Sequence, residues 1–230
     1  MDEIASKLLE ELSCDTVFTI PLFGGIAVLE STVVTWIIMA AMTILAILLV
    51  RGLRVDHPDK KQLMLEVAAG WVENFFGNIM CRKGRRYIPF LTTVMLYIAI
   101  ANLIGILGFK PPTKDMNVTA GLALISIVMI EYSGYHARGF KGKLASFAEP
   151  NPVILPINLM EVVIRPVSLC MRLFGNVLGS FVVMELLKLV MPVLLPIPFS
   201  FYFDVFDGLI QAYVFVFLTA LFINEAVETA

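Results

Sequence analysis

Two stretches of this chain, Ser31–Val50 and Tyr87–Phe109, contain no charged residue at all. Runs of about 20 apolar residues match the length a helix needs to cross a bilayer. Lipid offers no partner for backbone N–H and C=O groups, so such a run is committed to helix. The composition agrees: 59% of the residues are apolar and 16% are charged, against roughly a quarter charged in a soluble domain. The remaining charges are segregated between the apolar runs. A soluble enzyme and a nucleic-acid binder are thereby excluded, the latter also by a net charge of −2. Cys14, Cys81 and Cys170 are widely spaced with no C-x-x-C pair, which indicates neither a disulfide framework nor a zinc site. The opening MDEIASKLLEELSCD is acidic where a secretory signal is basic, so Ser31–Val50 reads as a true span.

Five hydrophobic segments are expected to cross: Ser31–Val50, Tyr87–Phe109, Met116–Ile130 extended through Glu131 or Tyr132 toward His136, Val153–Met191, and Phe199–Asn224. The 36 residues from Arg51 to Arg86 hold eight bases and four acids, and the loop from Glu131 to Glu149 holds Arg138, Lys141 and Lys143. The positive-inside rule puts both loops in the cytoplasm, with the N-terminus and the loop FKPPTKD outside and the C-terminus inside. Leu63, Val67 and Trp71 recur at helical spacing among Lys60, Lys61, Glu66 and Glu73, which predicts an amphipathic helix at the cytoplasmic face. Its plain role is surface anchoring; docking a partner subunit is the other. The expected fold is all-α: a polytopic transmembrane bundle of about five membrane-embedded helices plus this amphipathic helix. The Pro-rich MPVLLPIPFSF joins the last two spans into a long tilted hairpin. No internal repeat is evident, which argues against an inverted-repeat transporter.

The informative stretch is EVVIRPVSLCMRLFGNVLG, from Glu161 to Gly179. Arg172 lies well inside an otherwise uncharged window, Pro166 to Met184. An arginine near a bilayer centre costs about 2.5–3.5 kcal/mol on insertion scales. It cannot escape that cost by losing its proton. Glu161, Arg165, Ser168, Arg172, Asn176 and Gly179 step by three or four and form one helical stripe. Glu161 and Arg165 can pair one turn apart, and Gly175, Gly179 and Ser180 are small enough to admit another helix. In the last segment Asp204, Asp207 or Gly208, Gln211 and Phe215 repeat the stepping, so two carboxylates and an amide could line a polar path and steady the arginine. The structural alternative is that Arg172 snorkels or forms a buried ion pair with an aspartate. For Asn176 and Gln211, plain interhelical hydrogen bonding is the simpler role. Glu185 and Lys188 look like an ordinary i, i+3 pair, and Glu185 lies about 220° around the helix from Arg172.

RPVSLCMRLFGN resembles the signature of subunit a of F-type rotary ATP synthases, the stationary membrane subunit beside the c-ring. PPTKDMNVT resembles the family's outer-loop motif and GLIQAYVFVFLT its final helix, in the family's order and across nearly the whole chain. The resemblance implies translocation of H+ or Na+ through two half-channels at the ring interface. Arg172 takes the position of the stator arginine, which favours the deprotonated ring carboxylate and blocks leak between the half-channels. Gln211 matches the glutamine that packs toward the arginine, Asn176 the polar residue one turn beyond it, and Ser168 a residue lining inner access. Some members carry Glu nine residues after the arginine and His seven before the glutamine; here those positions are Phe181 and Asp204. Asp204, with Asp207 and Asp115, is therefore expected to form the polar wall of the outer channel, and Glu161 to lie toward the inner end.

On this resemblance, residues 1–30 are an outer N-terminal segment, 31–150 peripheral helices and loops, and 151–230 the ring-facing hairpin. The implied partners are c-ring subunits, stator b subunits and, indirectly, the soluble ATPase head, in a bacterial plasma (inner) membrane. No nucleotide site, cofactor or metal is expected in the chain; ATP chemistry belongs to the head. The rival from another class is a stand-alone secondary transporter or channel using Arg172 as an anion or carboxylate site. An intramembrane enzyme lacks its residues: His57 and His136 are the only histidines, both in loops, with no HExxH, GxSxG or P-loop motif. A non-transporting assembly protein would have no use for the Arg172 and Asp204 stripes.

Overall fold

The computed structural model describes residues 16–20, 26–51, 53, 59–107, 110–146, 155–190 and 196–228. The acidic opening, Cys14, His57 and Pro192 lie outside these described residues. Five helices are long and apolar enough to cross a membrane: Glu30–Val50, Gly84–Ile106, Met116–Gly139, Leu155–Lys188 and Pro198–Glu228. These are the five expected spans, and the membrane part is an all-α bundle. One feature was not foreseen. Strands β1 (Thr16–Ile20) and β2 (Ile26–Leu29) form an antiparallel hairpin, with Ile20 opposite Ile26 and an irregularity between Thr16 and Phe18. Both strands are short and rich in β-branched residues, and Pro21 with Gly24–Gly25 punctuates the sequence between them.

Helix α1 (Glu30–Val50) follows β2 directly. It is apolar on every side, with Trp36, Ile37, Ile44 and Leu48 exposed, the surface of a helix solvated by lipid. Near its start Ser31 is buried, and Thr35 accepts a hydrogen bond from the Tyr97 hydroxyl at 3.1 Å. Helix α2 (Lys60–Ile79) is the expected amphipathic helix. Leu63, Val67 and Trp71 stand 56%, 66% and 64% exposed, whereas Phe76 near its end is fully buried. Only its C-terminal part docks: the Cys81 N–H just beyond it donates to Asn224 Oδ1 at 2.7 Å. The open stripe has the disposition of a helix lying in a membrane interface.

Helix α3 (Ile88–Leu103) carries Pro89 in its first turn, where a missing N–H costs nothing. Helix α4 (Met116–Ser146) is interrupted at Gly139, where φ of +72° breaks the helix at the end of its apolar part. Helix α5 (Leu155–Val190) carries Pro166 internally. Helix α6 (Gly208–Glu228) is preceded by a turn, Pro196–Ser200, and a π-helical stretch, Phe201–Asp207. Successive spans are antiparallel. One end of the bundle carries Arg82, Lys83, Arg85 and Arg86; the other carries Asp115, Asp204 and Asp207 and is called here the carboxylate end.

The core centres on α6. Gln211, Ala212, Phe215, Val216, Thr219, Ala220 and Ile223 are buried against Leu91, Ile98 and Ala101 of α3 and Ala123, Ile127 and Ile130 of α4. Alanines at the contacts let backbones approach, which matters because lipid supplies no hydrophobic drive between helices. Helix α5 packs along α4 through Leu169, Leu173 and Val177 and touches α6 at fewer points.

Candidate ion-path face

Burying Leu169, Leu173 and Val177 on α4 turns the opposite side of α5 outward. Ser168, Arg172 and Asn176 are all exposed on that side. Gly175 and Gly179 are open as well: a Cβ on either would meet no atom within 4 Å. The stripe read from the sequence is thus a continuous outward surface of polar and small residues. Arg172 stands roughly 25 Å along the axis from either end of Leu155–Lys188. That is farther than one side chain reaches, so its guanidinium does not extend to either end of the helix. Among the described residues no carboxylate lies within ion-pairing distance of it. The expectation that Asp204 and Asp207 steady the arginine is therefore not met, and neither is the buried Arg–Asp pair.

Behind the arginine, Asn176 Nδ2 donates to Gln211 Oε1 at 2.6 Å. Gln211 is 2% exposed, and its Nε2 has no partner among the described residues. That leaves one buried donor for water or for an incoming group. Toward the basic end, Arg165 Nη2 donates to Glu161 Oε2 at 2.7 Å and to Glu225 Oε1 at 2.9 Å. Its guanidinium also lies over the Phe222 ring, 4.8 Å from the centroid. The predicted Glu161–Arg165 pair is present, and Glu225 makes it a clasp between α5 and α6. The predicted Glu185–Lys188 pair is present at 2.6 Å, off the stripe.

At the carboxylate end the aspartates are dispersed. Asp204 accepts a hydrogen bond from Ser200 Oγ. It lies against Gly105, where a Cβ would come 3.0 Å from Asp204 Oδ1, so any larger residue there would push the carboxylate aside. Asp207 is half-buried with no hydrogen bond among the described residues. The α-helical stepping expected from Asp204 through Asp207 to Gln211 does not hold. The i→i+5 pattern of Phe201–Asp207 widens each turn, and regular stepping resumes only at Gly208. Asp115 is buried and caps α4: Oδ1 accepts the Asn117 N–H at 2.9 Å, and Oδ2 accepts from Ser31 Oγ.

Several residues that the sequence reading missed connect these groups. Thr113 Oγ1 donates to Asn102 Oδ1 at 2.8 Å, and Asn102 Nδ2 donates to the Gly208 carbonyl at 3.0 Å. The available signal for Asn102 was a lone amide deep in the uncharged run Tyr87–Phe109. For Thr113 and Lys114 it was their place in PPTKD.

Residues 32–224 match the family model of the ATP synthase A chain. The chain belongs to this family. It is 37% identical over 209 residues to ATP synthase subunit a of Moorella thermoacetica, covering 89% of this chain and 94% of the relative. It is 35% identical over 205 residues to ATP synthase subunit a 2 of a Bradyrhizobium species, covering 89% and 91%. A third relative, from Propionigenium modestum, is named ATP synthase subunit a, sodium ion specific; it is 29% identical over 222 residues, covering 90% and 76%. As a subunit a, the chain is a multi-pass membrane component that works in ion translocation by F-type ATP synthase, together with the other subunits of the complex. The stand-alone transporter reading is set aside by this membership.

Proposed function

We propose that the outward stripe Ser168–Arg172–Asn176, backed by Gln211, is the stationary half of an ion path whose other half is a ring of c subunits. The observation that carries this reading is Arg172: mid-span, outward, and without a carboxylate of its own chain among the described residues. Facing lipid, such a charge costs about 2.5–3.5 kcal/mol or more. Facing a passing ring carboxylate, it is compensated. Gly175 and Gly179 leave room for that ring helix to come close. A permanently charged guanidinium holds the passing carboxylate ionised and repels a free cation, so an ion must ride the ring around instead of slipping past.

Two half-channels complete the scheme. Asp204 and Asp207, with Asp115 behind them, line access from the carboxylate end; Ser168 and Glu161 lie toward the basic end. The basic loops put that end in the cytoplasm of a bacterial plasma membrane, with the N-terminus outside and the C-terminus inside. Residues 151–230 then face the ring, residues 31–150 form the peripheral support met by stator b subunits, and the soluble head performs the ATP chemistry.

The deciding measurement is ATP-driven sodium uptake by vesicles bearing the intact complex, with a protonophore present. Sustained uptake identifies a sodium path, as in the relative named sodium ion specific. Its absence, with ATP-driven acidification when the protonophore is omitted, identifies a proton path. A coupled complex that moves neither cation overturns the reading. Asp204→Asn is expected to lower transport at least severalfold while leaving the subunit in the complex, because the amide keeps the Ser200 contact and loses the charge. Unchanged transport across a pH series removes Asp204 from the path.

A further inference from the structure

Of the two aspartates on the π-helical stretch, one is held and one is not. Asp207 makes no hydrogen bond among the described residues, whereas the Asp204 carboxylate is confined at both oxygens. Its Oδ2 accepts from Ser200 Oγ, four residues earlier at the end of the turn Pro196–Ser200. Its Oδ1 faces Ile104–Leu107, the 3-10 turn into which α3 runs, and meets it at Gly105, where there is no side chain. A Cβ on Gly105 would stand 3.0 Å from Oδ1, 3.3 Å from Cγ and 3.6 Å from Oδ2, crowding the whole carboxylate.

The α3 side of this contact cannot retreat. One helical turn before Gly105, Asn102 Nδ2 donates to the Gly208 carbonyl at 3.0 Å, which fixes the end of α3 on the residues leading into α6. Thr113 Oγ1 holds the oxygen of the same amide at 2.8 Å. The loop that carries Thr113 is tied in turn to two more helices. The Lys114 ammonium lies 4.6 Å from the centre of the Phe181 ring on α5, and Asp115 bonds Ser31 on α1. Of the groups that meet at Gly105, only the Asp204 side chain has single bonds about which to turn away. We propose that Gly105 and Ser200 are positioning residues of the ion route. The hydroxyl holds the Asp204 carboxylate from one side, and the missing side chain gives it its place on the other. The proposal rests on the ion-path reading above, in which Asp204 lines access from the carboxylate end. An alanine at 105 would shift the carboxylate by a few tenths of an ångström and strain its bond to Ser200. Misplacing a reacting group by about 1 Å can cost about 10²-fold, so the smaller shift should still be read in transport.

The test uses the intact complex in vesicles, with ATP synthesis followed against the concentration of the driving cation on the Asp204 side at fixed membrane potential. Gly105→Ala and Ser200→Ala should each raise the half-saturating concentration about fivefold, the scale of one weakened hydrogen bond. Abundance in the membrane and maximal rate should stay close to the parent's, because a side chain gives way and the backbone does not. Gly121→Ala is the control: a Cβ there meets no atom within 4 Å, so it should match the parent throughout. Added to Asp204→Ala, Gly105→Ala should lower the rate no further, since the group it displaces is gone. An unchanged half-saturation in either Gly105→Ala or Ser200→Ala overturns the proposal. So does an equal shift in Gly121→Ala, a Gly105→Ala effect that persists in full without Asp204, or failure of Gly105→Ala to enter the complex. Asp204→Ala alone separates the two readings. If it drives synthesis as the parent does, Asp204 leaves the route and the role of Gly105 goes with it. If it is impaired while Gly105→Ala behaves as the parent, the ion-path reading stands and only the positioning role fails.

Discussion

Arg172→Ala abolishes cation-driven ATP synthesis and ATP-driven cation transport in the intact complex; this is the largest effect expected of any single substitution. The chain itself loses little. Arg172 makes no ion pair among the described residues, and its α5 neighbours Leu169 and Leu173 stay packed on α4. Removing a central membrane charge even favours insertion, so the subunit should reach the membrane at its usual level. On the proposed reading, what disappears is the barrier. One charge crossing 100 mV is worth about 2.3 kcal/mol, and that energy turns the ring only if the ion cannot cross beside it. Arg172→Lys should not sustain synthesis either, because a compact ammonium lacks the planar, permanently charged fork. The measurement pairs ATP synthesis in vesicles with passive cation conductance after the soluble head is stripped. Normal synthesis in Arg172→Ala refutes the assignment.

The second large effect is structural and lies on the opposite side of the site. A Cβ at Gly208 would stand 2.9 Å from the Asn102 Cβ, inside contact distance and against the start of a side chain, which cannot swing away. Gly208→Val should therefore part α3 from α6. The cost is about 1–3 kcal/mol for overpacking, with the loss of the Asn102–Gly208 bond in addition. The amount of subunit recovered in membranes should fall severalfold, and surviving complex should unfold at lower temperature. Gly179→Val is the control, since nothing lies within 4 Å of a Cβ there. It should leave the subunit's abundance unchanged. Equal abundance of the two variants would show that the α3–α6 seam yields more easily than its geometry implies.

The spans were legible because lipid is an unforgiving solvent. A charge or an unpaired backbone group within it is so costly that charge-free length alone marks Ser31–Val50 and Tyr87–Phe109. The Arg172 stripe was legible for a related reason: a 3.6-residue period maps spacing onto a face without any knowledge of neighbours. The i, i+4 pair Glu161–Arg165 and the i, i+3 pair Glu185–Lys188 came from the same rule and are present. The rule failed where its premise failed. Through Phe201–Asp207 the backbone is π-helical, so Asp204 and Asp207 do not share the regular stepping that leads to Gln211.

By itself, then, the sequence determined the number of spans, the helix that lies at the interface, the residue that carries an intramembrane charge and the family to which the motifs belong. These are properties of one segment in its solvent. Only the tertiary structure decided that Arg172 faces outward, that Gln211 meets Asn176, that Asp204 rests on Gly105 and that three successive residues of a loop reach three helices. Those facts depend on which faces are used up in packing helix on helix. That choice is set by small residues, such as Ala101, Gly105 and Gly208, whose fit against a distant partner leaves no periodic mark in the chain.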